Sequence, residues 1–488
     1  MPATLIQKLA DFTADTTFDS LPPIVVEESK RAVLDSIGCA LAAIGEPKGR
    51  AGIEYGRIMG GGNGAATIIG TGDRVSMFGA AFANGELINT LDMDAILPPG
   101  HVSPYVLPGA MAIGESSASS GKDVIAAVAV SHEMSNRIGK AMDNLRDTKD
   151  GKVSPPAVFG YASTIFGATA AIGKLQGQSN STLANSLGIA GCISPVNPQI
   201  AWFQHAPSST IKYLMAGMLA QQAFTAAFMG HLGHRGDLRV LDDREFGYPR
   251  FIGTIRWEPE RIVAELGTRW FFPFEQSFKP YPHCRIMHAM IDCVIKIVRD
   301  NQLNPDEIEH IKVFIEGFAE RPVWLNRTIE SGHDAQFSMA HGISVAAHLV
   351  PPGKDWMDPK VIHSPSVMSL MNRVETQVHP DYVKLLTGNP ASRPARVELR
   401  AHGKTFMEER RYPKGSPSPE PDSAMTNEEL IQKFRHNAEG VLSAANIDGV
   451  VNEVMSLDKV ADFGRVMRIA GNAQPSREKA RPEAIAAK

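Results

Sequence analysis

The sequence predicts a mainly α protein, with a large helical domain over residues 1–268 and a smaller α+β domain over 269–412. Three observations carry that prediction. Small apolar residues crowd 78–88, 124–130, 159–173 and 214–229, and Ala- and Gly-rich apolar helices approach closely enough to form a buried bundle. After Trp270 the pattern changes to alternation, with Ile311, Val313 and Ile315 two apart. A chain of 488 residues also exceeds what one ordinary core serves.

Leu5, Ile6, Leu9 and Phe12 share one face of a first helix. Pro22-Pro23 breaks the chain, and 25–43 then carries a longer apolar face with Val33, Ile37, Ala40 and Leu41. Residues 66–70 form a short strand-like run closed by a Thr71-Gly72-Asp73 turn. Beyond Trp270 a helix is expected over 286–301, stopping before Asn304-Pro305-Asp306. The 311–315 alternation is a strand signal, although Phe314 interrupts it. A second strand is expected at 395–400, turning at His402-Gly403-Lys404 into Thr405-Phe406-Met407, with a helix over 335–348 between the two. Residues 413–421 read as a linker by composition. Thr426-Asn427-Glu428-Glu429 is a capping box opening a helix with Leu430, Ile431 and Phe434 apolar. From Gly471 the chain is polar and Ala-rich, the composition of a flexible tail.

Composition is globular, 43% hydrophobic and 21% charged, with a net charge of −4. That balance gives no electrostatic footprint for nucleic acid and no basic surface for a membrane. No apolar run approaches the ~20 residues of a membrane helix, and no secretory signal is expected from the N-terminal residues. Cys39, Cys192, Cys284 and Cys293 form no C-x-x-C pair. The expectation is reduced thiols in a cytoplasmic protein, with no metal centre or cofactor built on cysteine.

Three segments carry candidate chemistry. In 278–288, two prolines hold Lys279, Tyr281 and His283 on a stiff extended track that feeds a helix. The segment reads either as the wall of a small-molecule site or as a rigid loop capping that helix. In 84–101, Asp92 falls near the end of a helix, Pro98-Pro99-Gly100 turns the chain, and His101 follows. A carboxylate and an imidazole across such a turn can make an acid/base pair, with the carboxylate orienting the ring. The alternative is a buried turn that satisfies itself. Lys212 stands alone among apolar and small residues, either as an anion-binding lysine or as a snorkelling one at a helix start. Other patterns are weak. Gly60-Gly61-Gly62-Asn63-Gly64 lacks the Lys-Ser/Thr of a phosphate loop, and His231-Leu232-Gly233-His234 lacks a zinc protease's glutamate. Ser154, before Pro155-Pro156, lies outside any Gly-x-Ser-x-Gly elbow.

These segments, in their order, resemble the MmgE/PrpD family. The resemblance runs through 34–39, 80–85, 91–94, 155–160, Lys212 with Gly217, 279–284, His288, 335–338 and 412–415. It implies that C-terminal helices over 413–470 return to the helical domain. It also implies a homodimer, a site between the domains, and action on polycarboxylates without a metal or other cofactor. By position, Asp92, His101, Lys212 and Lys279 look like the family's active-site residues. The expected activity is that of a lyase, foremost a hydro-lyase acting on a small hydroxy-carboxylate. His101 supported by Asp92 would move the proton, and Lys212 and Lys279 would bind carboxylate oxygens. Tyr281 or Ser154 would assist the leaving group, with Asp94 and His283 completing the substrate-binding set. An epimerase, a decarboxylase or a catalytically lapsed ligand-binding member are the alternatives. The departures bear on that choice: Ser154 stands where relatives carry a histidine, Ala95-Ile96 follow Asp94, and Asn89 replaces a histidine. A serine does not exchange a proton at neutral pH as imidazole does.

Overall fold

The computed structural model describes residues 2–143, 148–149, 152–153, 156–196, 199–386, 391–418, 420 and 422–472. The fold is a large helical domain with a smaller α+β domain. Helices α1 (Leu5–Asp15) and α2 (Pro23–Ala42) bury the expected apolar faces, and α3 (Pro47–Gly60), for which no face was expected, buries Gly49, Gly52, Ile53 and Gly56. Thr4 and Gln7 close a capping box on α1, and Pro23 occupies the first turn of α2, where a missing N–H costs no helix bond. The strand-like run at 66–70 is shorter than its residues imply: β1 (Ala66–Thr67) pairs antiparallel with β2 (Arg74–Val75).

Helix α4 (Met77–Thr90) is buried at every position from Gly79 to Thr90. Glycine makes that possible. A Cβ on Gly56 of α3 would stand 2.7 Å from the Gly79 carbonyl oxygen, and one on Gly79 2.3 Å from that of Gly56. The two backbones therefore touch, a distance no larger residue allows. A hairpin follows, β3 (Ile96–Leu97) with β4 (Gly100–His101). Of the helices α5 (Ser103–Ser116), α6 (Gly121–Ala141), α7 (Thr164–Leu175), α8 (Asn180–Ile193) and α9 (Ala216–His231), α5 and α9 pack on α4, and α6, α7 and α8 pack on these and on one another.

In the α+β part, α10 (His288–Asn301) follows a 3-10 turn at Arg285–Met287. The strands are β5 (Ile308–Ile315), β6 (Val374–Val378), β7 (Ala395–Ala401) and β8 (Lys404–Arg410), in the order β8-β7-β5-β6. Strands β5 and β6 are parallel, with Ile311 opposite Val374, and the other pairings are antiparallel. Ala395, Val397, Leu399 and Ala401 are the buried alternates of β7, and α10 packs on β7 and β8. The single helix expected over 335–348 is two, α11 (Gly332–Phe337) and α12 (Met339–Ala347). Ser338 is extended between them, and its hydroxyl accepts the His341 N–H at 3.3 Å, so a capping serine restarts the helix.

The proline-rich run after 412 is no loose linker. Arg285 donates to the Lys414 carbonyl at 2.7 Å and to Ser416 Oγ at 2.5 Å, and the Gly415 carbonyl accepts from Phe278 N–H at 3.0 Å. Prolines remove donors but leave carbonyls, and a buried guanidinium collects them. Helices α13 (Asn427–Ala438) and α14 (Ala444–Met455) then pack on α2, and α15 (Gly464–Gly471) on α5. The capping box at Thr426 and Glu429 forms as expected. Gly471 closes α15 rather than opening a tail, and 473–488 lie outside the described residues. Among the described residues no helix is long and apolar enough to cross a membrane. All four cysteines are free thiols.

Candidate active site

The cluster is centred on Asp92, which is fully buried. It lies beyond the end of α4 rather than on it, in the left-handed region at φ 52°. Aspartate enters that region more readily than most side chains. Its Oδ2 is 2.7 Å from Lys279 Nζ. Its Oδ1 accepts from Tyr213 OH at 3.0 Å and lies 3.5 Å from both Lys212 Nζ and His101 Nε2. Lys279 also donates to the Asp92 carbonyl. Burial would raise the Asp92 carboxyl, but the charges of Lys279, Lys212 and His101 outweigh it and hold it well below the usual carboxylate range.

Lys212 does not begin a helix, since α9 starts at Ala216 and Lys212 sits in a turn at φ 60°. Its ammonium donates to the Asn89 and Thr90 carbonyls at 2.6 and 3.2 Å. A buried cation thereby satisfies the last carbonyls of α4 and meets the negative end of its dipole. Burial lowers the Lys212 ammonium to about 7, against the pull of Asp92.

The ring of His101 has a different carboxylate from the one expected. Nδ1 meets Asp94 Oδ2 at 2.6 Å, whereas Asp92 is the more distant neighbour at 3.5 Å. The tight β3–β4 turn and the left-handed kink at Asp92 swing Asp94 under the ring. Tyr213 stacks on the other side, 4.9 Å between centroids at 24°. Gly100 brings His101 close to Tyr161: a Cβ at position 100 would stand 2.1 Å from that ring. Asn89, one of the departures, reaches Asp94 Oδ1 at 3.5 Å and accepts from Lys48 at 3.3 Å.

A cavity of about 280 Å³ opens between the β3–β4 hairpin and the 284–286 segment. Its polar lining includes His101, Tyr161, Tyr213, Cys284, Arg285 and Arg393, together with the carboxylates Asp143 and Glu275 and the hydroxyls Ser277 and Ser416, and Phe159, Phe203, Phe318 and Trp324 belong to its apolar wall. Neither Lys212 nor Lys279 is in that lining, nor are Asp92 and Asp94. They form a layer behind His101 and Tyr213. Lys279, expected to touch substrate, is fully buried against Asp92. Tyr281 donates to Asp292 at 2.7 Å and His283 is buried beside Trp356, both away from the cavity. Burial drives the His283 imidazolium down to about 3, so the ring is neutral. Ser154 lies outside the described residues.

Tyr161, Tyr213, Arg285 and Arg393 are among the lining residues not singled out from the sequence. Tyr213 adjoins Lys212, Tyr161 follows the 155–160 motif, and Arg285 ends the lysine–proline–tyrosine segment, so a local signal existed for each. Arg393 had none. It reaches the cavity from the stretch before β7 and pairs with buried Glu316. Burial lowers the Arg285 guanidinium to about 9, still charged at neutral pH. Among the described residues no group of three His, Cys, Asp or Glu side chains is placed to hold a metal ion.

Comparison with known proteins decides the family. The model of the MmgE/PrpD N-terminal domain matches residues 7–260, and that of the MmgE/PrpD C-terminal domain matches 281–457. The chain belongs to the MmgE/PrpD family. This MmgE/PrpD chain is 24% identical over 496 residues to cis-aconitate decarboxylase of Aspergillus terreus, with 95% of each chain covered. Against cis-aconitate decarboxylase of Homo sapiens it is 26% identical over 452 residues, covering 90% of this chain and 88% of the relative. The Mus musculus enzyme of the same name is 26% identical over 468 residues, with 91% and 89% covered. At that distance the reacting groups of an MmgE/PrpD protein have to be read from its own cavity.

Proposed function

We propose that this MmgE/PrpD protein is a lyase acting on a small carboxylate, with His101 exchanging a proton at the carbon next to a carboxylate group. The observation that carries this is the placement of His101. Its ring lines the cavity while Asp94 holds Nδ1 at 2.6 Å. A carboxylate on Nδ1 orients the imidazole, and Nε2, whose nearest carboxylate is Asp92 Oδ1 at 3.5 Å, is the nitrogen we assign to proton exchange. Arg285 and Arg393 line the same cavity and are the groups that bind substrate carboxylates and stabilise enolate charge. They take the part that the lysines were expected to play.

In the hydro-lyase course, His101 Nε2 removes the alpha proton as a hydroxyl departs from the neighbouring carbon. Tyr161, kept protonated by burial, is placed in the lining to protonate that oxygen. The decarboxylase course is favoured by the relatives, which are named for cis-aconitate decarboxylation. There carbon dioxide leaves first and the His101 imidazolium delivers a proton to the carbanion. Neither course calls on a metal or cofactor. A homodimer accords with an exposed apolar face on α3, α4 and α9 that includes Tyr55, Ile58, Phe78 and Met218.

The test is a panel of small di- and tricarboxylates, cis-aconitate included, incubated in D₂O and followed by NMR. At least one acid should be converted, and His101→Gln should lower kcat on the order of 10²- to 10⁴-fold. Loss of water or of carbon dioxide identifies the course, while deuterium in recovered substrate without either identifies an isomerase. Conversion by His101→Gln at the wild-type rate would remove His101 from the chemistry.

A further inference from the structure

A buried ion pair that no step above uses grips the chain on both sides of Asp94. Lys433, on α13, donates to Asp35 Oδ1 at 2.6 Å and to the Met93 carbonyl at 2.8 Å. Asp35, on α2, accepts the Ala95 N–H on Oδ2 at 3.0 Å. The peptide groups before and after Asp94 thus end on the two members of one pair. Both side chains are buried, Asp35 completely and Lys433 to 7% exposure. This stretch lies between α4 and β3, where no helix or strand ladder receives its backbone groups.

We propose that Lys433 and Asp35 are positioning residues for the His101–Asp94 pair. They fix the backbone of Asp94 so that its carboxylate meets Nδ1, and they make α13 a working part of the site although it contributes nothing to the cavity lining. This inference rests on the role given to His101 above. Stability alone gives little reason to keep such a pair, because a buried ion pair gains back little more than its desolvation cost. Geometry gives a reason: a misplacement of about 1 Å near the reacting groups costs on the order of 100-fold in rate. A second pair supplies the control. Lys30, also on α2, meets Asp458 at 2.5 Å and ties α2 to the C-terminal segment without touching residues 93–95.

The variants are Lys433→Met, the double variant Lys433→Met/Asp35→Asn, in which no lone charge stays buried, and the control Lys30→Met. The first readout needs no substrate. It is the downfield NMR resonance of the His101 Nδ1 proton, identified by its absence in His101→Gln. It should persist in Lys30→Met and be broadened or lost by solvent exchange in Lys433→Met. If that variant does not fold, the double variant decides. The second readout uses the acid converted best. There kcat should fall about tenfold or more with KM within about twofold, and Lys433→Arg should recover part of the loss. A resonance that persists unchanged in the folded Lys433 variant overturns the proposal, and so does an equal loss of kcat in Lys30→Met. If no acid is converted at all, the lyase reading fails while the resonance still decides the positioning role.

Discussion

Replacing Lys279 with methionine removes the nearest counter-charge of a carboxylate that has no solvent exposure. At 2.7 Å and an effective dielectric of about 20, the Lys279–Asp92 attraction is about 6 kcal/mol before desolvation is subtracted. Breaking one side of a buried pair costs about 3–5 kcal/mol net, because the remaining charge is stranded. Lys212 at 3.5 Å partly compensates, so the lower half of that range is expected. The assay is urea unfolding of wild type, Lys279→Met, Asp92→Asn and the double variant, followed by tryptophan fluorescence. The cycle should give a coupling of at least about 2 kcal/mol. The pH dependence has a definite sign. In the wild type, Asp92 sits below its unfolded value, so its contribution is present above ~3.9 and is lost only in stronger acid. Without Lys279 the folded carboxyl moves upward and takes a proton nearer neutrality. The deficit of Lys279→Met should therefore narrow as pH falls from about 7 to 5. A coupling below about 0.5 kcal/mol, with KM raised at unchanged stability, would refute the reasoning. It would return Lys279 to the role of a substrate contact.

Four further outcomes are expected. His283 stays neutral in the fold down to about 3, so stability is intact above its unfolded value of ~6.5. About 2 kcal/mol should then be lost as pH falls from about 6.5 to 5, a loss that His283→Phe removes in unfolding curves. Arg393→Gln should lower kcat/KM about 10- to 100-fold, the worth of a charge-assisted hydrogen bond, while leaving the His101 Nδ1 resonance unchanged. Thr426→Ala should cost about 1 kcal/mol in chemical unfolding through loss of the α13 cap. Tyr55→Lys combined with Met218→Lys should convert a dimer to a monomer in sedimentation, and an unchanged sedimentation coefficient for a dimeric wild type would place the interface elsewhere.

Near-neighbour rules made much of this fold legible. The apolar face of α1, the Thr426–Glu429 cap and the alternation in β5 and β7 follow from the periodicity of helix and strand. The same rules misplaced Asp92 and Lys212, because apolar neighbours extend a helical pattern past the residue where the backbone turns left-handed. They missed the break at Ser338, where the serine's cap outweighs the apolar pattern around it. They also took a proline-rich composition for a linker, since the guanidinium that anchors it lies far away in sequence.

The residue types of the candidate site, and the segments that bring Asp92, His101, Lys212 and Lys279 together, are readable in the chain itself and in its resemblance to a family. Composition and spacing determined that much because they act over a few residues. Tertiary structure decided which carboxylate holds the His101 ring, which cations face the cavity and which are locked behind it. Those outcomes depend on a kink at Asp92, on Arg393 arriving from the other domain, and on Lys433, 340 positions from Met93. In a buried, low-dielectric cluster, a difference of an ångström between Asp92 and Asp94 selects the partner, and no local pattern encodes it.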